Sequence, residues 1–508
     1  MSQTPRLSPE LLRLIFQYLC PHCCGELEWP HWPESDELLV AHQQDSLALF
    51  HLCLASRQFR DIAEEILYHQ FSPYYTKRSD RLWGRRLEPF LRTIAARPDL
   101  ARSVKAAFIR APLFRSLDLW LSRDAFGHCA RALGTSTLEL WERRKKNYPE
   151  RPVSNSDRII RQFFTGVGRH TGDIRNLMPF LVAPELITML VVLLPNLCHL
   201  KFEDYGDFIS TATASALGLT KLTLKTLKTL DMSLPSGGRL THWEPDEAKR
   251  PRTSLIHYLP DLETLITYHH HWLPESQNLK TLCIRAKGRA NLIGAQRLLP
   301  YWTGQLSALS FTDISEQGFG VDEKGLLKHF DNERFRPYLK SLHLDVRYQV
   351  HPGHTLDMRG MPSFKPFTHL ETLFIATYSL YNTQLSTELD HQSLVSILPS
   401  SIISLTLVEH DKPTPPERLR EGLLGLAKAK PTLFEQLKKI RCDSKQVYND
   451  HLKDAFEGVG VDFGFQEFPR RCWSYSRQPL PMQIPHLLDS RSYPYLRRQR
   501  ELADEGVF

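Results

Sequence analysis

LKSLHL at residues 339–344 and LETLFI at residues 370–375 are two copies of a six-residue pattern that decides the fold of this chain. Leucine or isoleucine occupies the first and fourth positions, and the sixth position is apolar in most copies. The nine copies begin at Leu197, Leu227, Leu262, Leu279, Leu306, Leu339, Leu370, Ile402 and Leu437. Because successive residues of a strand point to opposite sides, each copy predicts a strand with one buried face.

The spacing of the copies predicts a stacked repeat. Most copies start 27 to 35 residues after the previous one, although the copy at Leu279 follows sooner. Prolines, which stop a helix and favour an extended chain, stand shortly before four copies, at Pro195, Pro260, Pro337 and Pro399. Residues 416–429, PERLREGLLGLAKA, have the spacing of an amphipathic helix between two copies. One strand–helix unit cannot bury both of its faces, so stacked units should share a core. The alternative is an ordinary α/β domain with parallel strands.

The residues between the apolar positions should line the opposite, concave face of the strands. Their mixture of aromatic, aliphatic and charged groups suits protein recognition, in which a few aromatic and arginine side chains contribute most of the binding energy. It differs from the uniformly basic face of a nucleic-acid binder. The candidate target-contacting residues are His199, Lys201, Ile266, Tyr268, Arg285, His343, Asp345, Phe374 and Arg441. The alternative is that many of them merely face water.

Two apolar segments near the N-terminus predict a small helical unit. Residues 7–19 offer Ser8 as a helix N-cap, Pro9 at the first helical position and Glu10 beside the positive end of the helix. The two apolar stripes are Leu12, Ile15, Phe16 and Leu19 in the first segment and Phe59, Ile62, Ala63, Ile66 and Leu67 in the second. Residues 47–55 are apolar almost all round, so part of their surface should be covered by another protein or domain.

Together these segments resemble an F-box, the small helical domain that docks a protein onto a ubiquitin ligase. The residues that carry the resemblance are Leu7, Pro9, Glu10, Ile15, Phe16, Leu19, Leu52, Leu54, Ala55, Ser56, Arg57 and Phe59. The chain departs from the family pattern because Ser8 separates Leu7 from Pro9, Phe59 stands in place of a tryptophan, and residues 20–46 are inserted. Residues 66–71, ILYHQF, look like the version common in fungal F-box proteins. The alternative is a generic helical hairpin.

The hexapeptide resembles the core of a leucine-rich repeat, although the asparagine that normally follows that core is absent. The expected fold is therefore of mixed α+β and α/β repeat class, with an N-terminal helical F-box followed by an irregular leucine-rich-repeat-like solenoid. We expect an F-box-like domain at 1–71 and a mostly helical connector at 72–192 that includes the start of the array. The repeat array should occupy 193–465 and a C-terminal cap or tail 466–508.

The local patterns in the connector predict its elements. They indicate a helix at 82–96 and a first strand of the array within 101–110, which ends with residues 104–110. They also indicate mostly helical structure at 111–192, with a loop near 147–157, and a helix at 178–194 that Pro184 interrupts.

The resemblance implies the substrate-recognition subunit of an SCF-type, cullin-based ubiquitin ligase in ubiquitin-dependent degradation. The F-box would bind a Skp-family adaptor and, through it, a cullin, while the array holds an unknown target protein. The implied adaptor contacts are Leu7, Pro9, Leu12, Ile15, Leu19, Leu54 and Phe59. The alternative function is a protein-binding module with no ligase role, in which the F-box-like helices form an N-terminal cap.

No motif predicts an enzyme, since P-loop, HExxH, G-x-S-x-G and EF-hand patterns are all absent from the sequence. Residues 20–24, Cys-Pro-His-Cys-Cys, contain one Cys-x-x-Cys pair, whereas a structural zinc usually needs two separated pairs. Cys53 or His51 could complete a set after folding, yet the sequence alone predicts no metal and no cofactor.

Composition indicates a globular chain. Of its 508 residues 42% are hydrophobic, and the net charge of +7 is mild for this length. Basic clusters such as residues 143–146 are interpreted as solvated faces rather than a nucleic-acid surface. No signal peptide is evident, the longest apolar run at 186–194 is too short to cross a membrane, and the nine scattered cysteines suit reduced thiols. We therefore expect an intracellular protein of the cytoplasm or nucleus, without nucleic-acid or membrane partners.

Overall fold

A computed structural model of the chain describes residues 7–25, 36–71, 86–109, 113, 117–147, 155–167, 181–203, 208–218, 226–233, 253–254, 259, 261–267, 278–286, 305–313, 336–345, 363–377, 380–381, 387–409 and 415–468. Helices and a parallel sheet together make a mixed α/β fold. The helices are α1 (Pro9–Gln17), α2 (Asp36–Ala55), α3 (Arg57–Leu67), α4 (Leu87–Ala96), α5 (Pro98–Ser103), α6 (Leu119–Ala132), α7 (Thr137–Asn147), α8 (Asn155–Thr165), α9 (Ala183–Leu193), α10 (Thr211–Ala216), α11 (Ser393–Ile397), α12 (Pro416–Leu433) and α13 (Asp450–Glu457), with a 3₁₀ helix at Thr387–Gln392.

Fourteen strands belong to the described residues. They are β1 (Gln70–Phe71), β2 (Ala106–Ile109), β3 (His199–Glu203), β4 (Phe208–Ile209), β5 (Thr229–Ser233), β6 (Thr253–Ser254), β7 (Thr264–Thr267), β8 (Thr281–Ala286), β9 (Ala308–Asp313), β10 (Ser341–Asp345), β11 (Thr372–Ala376), β12 (Ser404–Val408), β13 (Lys439–Cys442) and β14 (Asp462–Phe465). Twelve of them form one parallel sheet in the order β1-β2-β3-β5-β7-β8-β9-β10-β11-β12-β13-β14, and β4 pairs antiparallel with β6. Apart from that small pair, every strand lies beside the next one along the chain.

All nine copies of the hexapeptide form strands of the large sheet, which confirms that part of the sequence prediction. The register aligns equivalent positions, so that Leu309, Leu342, Leu373 and Leu405 lie side by side on β9 to β12. The eighteen side chains at the first and fourth positions of the copies are at most 1% exposed. We call these eighteen side chains the leucine ladder. Buried parallel strands of this kind are stable because helices and loops cover the apolar face.

Backbone hydrogen bonds repeat with the ladder at the entry of each strand. The carbonyl at the second position of one copy accepts from the amides of the second and third positions of the next copy. Ser307 O, for example, accepts from Lys340 N at 2.8 Å and Ser341 N at 3.0 Å. At the entries of the repeat strands, these carbonyls and amides therefore have backbone partners, as buried backbone groups require.

The connector follows the predictions in most places. Helices α6 to α9 confirm its largely helical character, and β2 lies where the first array strand was expected. Leu181 is helical, Val182 is in a turn and α9 starts at Ala183, so the helical structure is interrupted beside Pro184 as predicted, while residues 178–180 lie outside the described residues. Pro184 lies in the first turn of α9, where its missing amide has no partner to lose. The helix predicted at 82–96 begins at Leu87 within the described residues. Of the loop predicted near 147–157, residues 148–154 lie outside the described residues, whereas residue 147 ends α7 and residues 155–157 begin α8.

The segments that resemble an F-box form a three-helix unit with its own core. Helices α1 and α2 both pack against α3. This core contains Leu12, Phe16, Cys20, Leu49, Cys53, Ile62, Ala63 and Ile66, and it is separate from the core of the sheet. We call the unit the helical hairpin. Directly after it, β1 pairs with β2, an edge strand that the sequence did not predict.

Among the described residues, no helix combines the length and the apolar character that crossing a bilayer requires. The predicted cap or tail at 466–508 is described only as far as Phe468, and its remainder lies outside the described residues.

Candidate functional site

Helix α1 is apolar on two sides. Its N-terminus forms as the sequence predicts, with Ser8 Oγ accepting from Leu11 N at 3.4 Å and Pro9 at the first helical position. Leu12 and Phe16 point into the hairpin core. The large hydrophobic side chains of α1 and its flanking residues that lie outside this core are between 49% and 80% exposed; they are Leu7, Leu11, Leu14, Ile15 and Tyr18.

Helix α2 repeats this arrangement. Leu49 and Cys53 belong to the hairpin core, whereas Leu47, Phe50 and Leu54 are exposed at the i, i+3, i+7 spacing of one helix side. We call these three and the five exposed residues at α1 the outer apolar residues. They make up eight of the fourteen large hydrophobic side chains that are exposed in the described part of the chain. A concentration of this kind marks a surface that another molecule covers.

The predicted adaptor contacts divide into three groups. Leu7, Pro9, Ile15 and Leu54 are exposed, so they are accessible to a partner. Leu19 and Phe59 are half-buried. The assignment of Leu12 as an adaptor contact is corrected, because Leu12 is only 7% exposed and packs in the hairpin core.

Sequence reasoning missed five outer apolar residues, which are Leu11, Leu14, Tyr18, Leu47 and Phe50. The sequence did contain a signal for them, because both residues 7–19 and residues 47–55 carry apolar side chains outside the stripe that faces the core. Phe59 shows the reverse case, because its ring packs edge-on against Phe16 with centroids 5.6 Å apart. It therefore contributes to the hairpin as well as to any contact.

The face of the sheet opposite the leucine ladder is closed over its first part. Of the predicted target contacts, His199, Lys201, Ile266, Arg285 and Asp345 are all buried. Their burial corrects the expectation that they are presented to a target. Ile266 and Cys283 join Ala106 and Phe108 in a small apolar cluster on this face.

A charged group lies beside that cluster. Asp231 Oδ2 lies 3.5 Å from Lys201 Nζ and 3.5 Å from Arg285 Nη1, and the Asp231 side chain is fully buried. The three residues come from β3, β5 and β8, so the group joins strands that are not all neighbours. Buried charges require such pairing, because an isolated charge is costly to remove from water. Lys201 and Arg285 therefore compensate the buried charge of Asp231, and little of either side chain is available to a target.

The same face is more open towards its C-terminal end. His343 and Phe374 are half-buried, and their rings stack with centroids 3.9 Å apart. Phe468 packs edge-on against Phe374 at 5.5 Å. Further along, Arg441 is half-buried and pairs with the exposed Asp462, so β10 to β14 carry the accessible part of this face. Tyr268 lies outside the described residues.

Four potential metal ligands meet where α1 ends. The ligand atoms of Cys20, His22, Cys23 and His69 all lie within 4.8 Å of one another. Cys53 and His51, which were considered as completing ligands, are not in this group. The hydrogen bond to Cys23, followed by burial, raises the pKa of the Cys20 thiol to about 12, and the same contact lowers the pKa of the Cys23 thiol.

The basic cluster at 143–146 is only partly the solvated face that the sequence predicted. Arg144 Nη1 lies 2.6 Å from Glu185 Oε1, and the Glu185 side chain is 2% exposed. Ser210 and Thr213 donate to the same carboxylate. Arg144 therefore joins α7 to α9 and is not free to bind nucleic acid.

No protein-family model matches the chain, and no curated protein is significantly similar to it. The resemblances to an F-box and to leucine-rich repeats therefore stay predictions that the quoted residues carry. The structure establishes the mixed α/β fold and its parallel sheet.

Proposed function

We propose that this chain is the substrate-recognition subunit of an SCF-type, cullin-based ubiquitin ligase. The observation that carries the proposal is the group of outer apolar residues on α1 and α2, in the segment that resembles an F-box. Helices of a self-contained hairpin would turn their polar sides to water. Here the sides that face away from the core are themselves apolar, as a docking surface requires.

The energetics favour a stable partner rather than a transient one. Full burial of a leucine or phenylalanine side chain contributes about 1.5–3 kcal/mol. Several of the eight outer apolar residues would become buried together in a complex with a Skp-family adaptor. Leu54 is among the most exposed of them, at 59%, so it should be sensitive to a charge.

In this proposal the parallel sheet forms a leucine-rich-repeat-like array that holds the target protein. The accessible end of the face opposite the ladder, on β10 to β14, is the favoured contact region. It presents Phe374, His343 and Arg441, and aromatic and arginine side chains are the residues that most often anchor protein interfaces. The reaction would then be accelerated by proximity, since binding raises the effective concentration of target lysines near the ubiquitin-loaded enzyme.

Co-expression of the full chain with a Skp-family adaptor tests the proposal. We expect the two proteins to elute as a stoichiometric complex in size-exclusion chromatography. Leu54→Asp should weaken that complex by at least about 30-fold, because a central hot-spot residue contributes 2 kcal/mol or more. The matched control is Leu138→Asp on α7, since Leu138 is 56% exposed and lies outside the hairpin.

Two outcomes would refute the proposal. One is a well-folded wild-type chain that forms no complex with the adaptor. The other is a complex that Leu54→Asp and Leu138→Asp weaken equally, because the contact would then not depend on the hairpin.

A protein-binding module that uses the hairpin only as a cap is the second candidate function. The observation in its favour is the direct junction between hairpin and sheet. The carbonyl of His69 accepts from Lys105 N and Ala106 N, and Phe71 stacks on Phe90 with ring centroids 4.0 Å apart. Deletion of residues 1–67 would leave β1 in place. The cap function would be supported if that truncated chain aggregates and the full chain forms no complex with the adaptor.

A further inference from the structure

The strongest unassigned feature of the structure is the group of two thiols and two imidazoles at the end of α1. We propose that Cys20, His22, Cys23 and His69 form a structural zinc site that fastens the helical hairpin to the edge of the sheet. The proposal does not depend on a ligase role, because it concerns the fold of the chain itself.

The distances fit a tetrahedral zinc ion. Zinc bound about 2.3 Å from sulfur and about 2.0 Å from nitrogen places those two ligand atoms roughly 3.6 Å apart. His69 Nδ1 lies 3.7 Å from Cys20 Sγ and 3.4 Å from Cys23 Sγ. His22 Nδ1 lies 4.0 Å from Cys23 Sγ, and its ring centroid is 5.6 Å from that of His69. The four atoms thus need only small movements to surround one ion.

The turn after α1 supplies three of the ligands. Cys24 N donates to Cys20 O at 3.0 Å and Gly25 N donates to His22 O at 3.2 Å, so the backbone folds back on itself at this point. Gly25 has a φ of 73°, which a glycine adopts without strain. Cys20 is buried, whereas Cys23 is exposed, so the site is anchored on one side and reachable by an ion on the other.

The fourth ligand comes from the entry to the sheet. His69 N donates to Ile66 O at the end of α3, and His69 O accepts from the amides of Lys105 and Ala106. The backbone of His69 is therefore fixed before any metal binds. His69 and Cys23 are 46 positions apart, with Cys23 near the start of the insertion and His69 after α3. A bound ion would close this long loop and hold α1, α3 and β1 together.

The nature of the ligands points to zinc. Two thiolates and two imidazoles suit zinc, whereas calcium, magnesium and manganese prefer oxygen ligands. Four protein ligands leave no open position for a substrate, so the site is structural rather than catalytic. On binding, each thiol releases its proton to solvent, and each histidine binds through a neutral ring nitrogen. No electron is transferred.

Cys24 offers a matched control one residue away from the site. Its Sγ lies 3.7 Å from Gln17 O and 3.6 Å from Tyr18 O, so the thiol donates towards the last turn of α1. Cys23→Ser removes a proposed ligand, and Cys24→Ser makes the same chemical change beside it.

The test uses the full chain, expressed without a histidine tag and purified under reducing conditions. We expect elemental analysis to find stoichiometric zinc in the wild-type protein and in Cys24→Ser. Cys23→Ser and His69→Asn should retain at most about a tenth as much after identical dialysis, since loss of one ligand from a four-ligand site weakens it severely. Cobalt substituted into the wild-type chain should show the absorption of a tetrahedral ion with two thiolate ligands.

Several results would overturn the proposal. The wild-type chain could remain free of metal after zinc loading, or the cobalt spectrum could indicate an octahedral ion. Equal zinc in Cys23→Ser and Cys24→Ser would also end it, as would a Cys20–Cys23 disulfide in the reduced preparation. If Cys23→Ser does not fold, the zinc content and the cobalt spectrum of the wild-type chain still test the proposed site. Failure of the adaptor experiment leaves these measurements unaffected.

Discussion

The leucine ladder and the outer apolar residues consist of similar large hydrophobic side chains, but the first group is buried and the second is exposed. Leu342 on β10 is fully buried, whereas Leu14 on α1 is 55% exposed. In the sheet, every ladder position meets an equivalent residue of the neighbouring strand. In the hairpin, the residues beyond the inner stripe meet no such neighbour in the described structure. The spacing of apolar residues along the sequence thus predicts where a helix or strand forms. The apolar residues that remain outside the core indicate where a partner would bind.

The largest expected effect concerns the ladder. Leu342→Ala removes a fully buried side chain from the centre of the sheet, and substitutions of this kind lower the free energy of unfolding by about 2–5 kcal/mol. Denaturant titration followed by circular dichroism measures the loss. Equal destabilisation by Leu342→Ala and Leu14→Ala would contradict the distinction between the buried ladder and the exposed outer apolar residues.

A smaller effect is expected on the opposite face of the sheet. Phe374→Ala should lower the free energy of unfolding by about 1–2 kcal/mol, because the half-buried ring stacks on His343 and contacts Phe468. The matched control is Thr372→Ala on the same strand, where the exposed side chain should contribute less than about 0.5 kcal/mol. Equal losses in the two variants would contradict the assignment of Phe374 to a packed cluster.

The smallest effect is expected at Leu54. Leu54→Asp should change the free energy of unfolding by no more than about 0.5 kcal/mol, since its side chain is mostly in water already. Thermal and denaturant melts of the purified variant measure this change. A loss of stability as large as that of Leu342→Ala would show that Leu54 supports the fold. Leu54 would then not belong to an open docking surface.

Much of the fold could be predicted because its signals are local. The nine hexapeptides and the helix at 416–429 carry their periodicity within a few residues, and all of them form the expected elements. Strand β1 escaped notice because two residues, Gln70 and Phe71, are too short for any pattern.

Function-related positions were less predictable. Alternation placed Lys201 and Arg285 on the face opposite the ladder, but it carries no information on whether that face is open. Their burial beside Asp231 depends on residues from three strands. Similarly, the Cys-x-x-Cys pair was visible in the sequence, while His69 had no feature that linked it to residues 20–24.

The strands, the helices and the side chains of the ladder could be read from the amino-acid sequence, because they follow from the spacing of apolar residues along a few turns or one strand. The three-dimensional packing was needed to show which apolar sides of α1 and α2 stay exposed, which end of the second sheet face remains accessible, and that His69 meets Cys20 and Cys23. Each of these depends on contacts between residues far apart in the chain, and such contacts leave no local pattern.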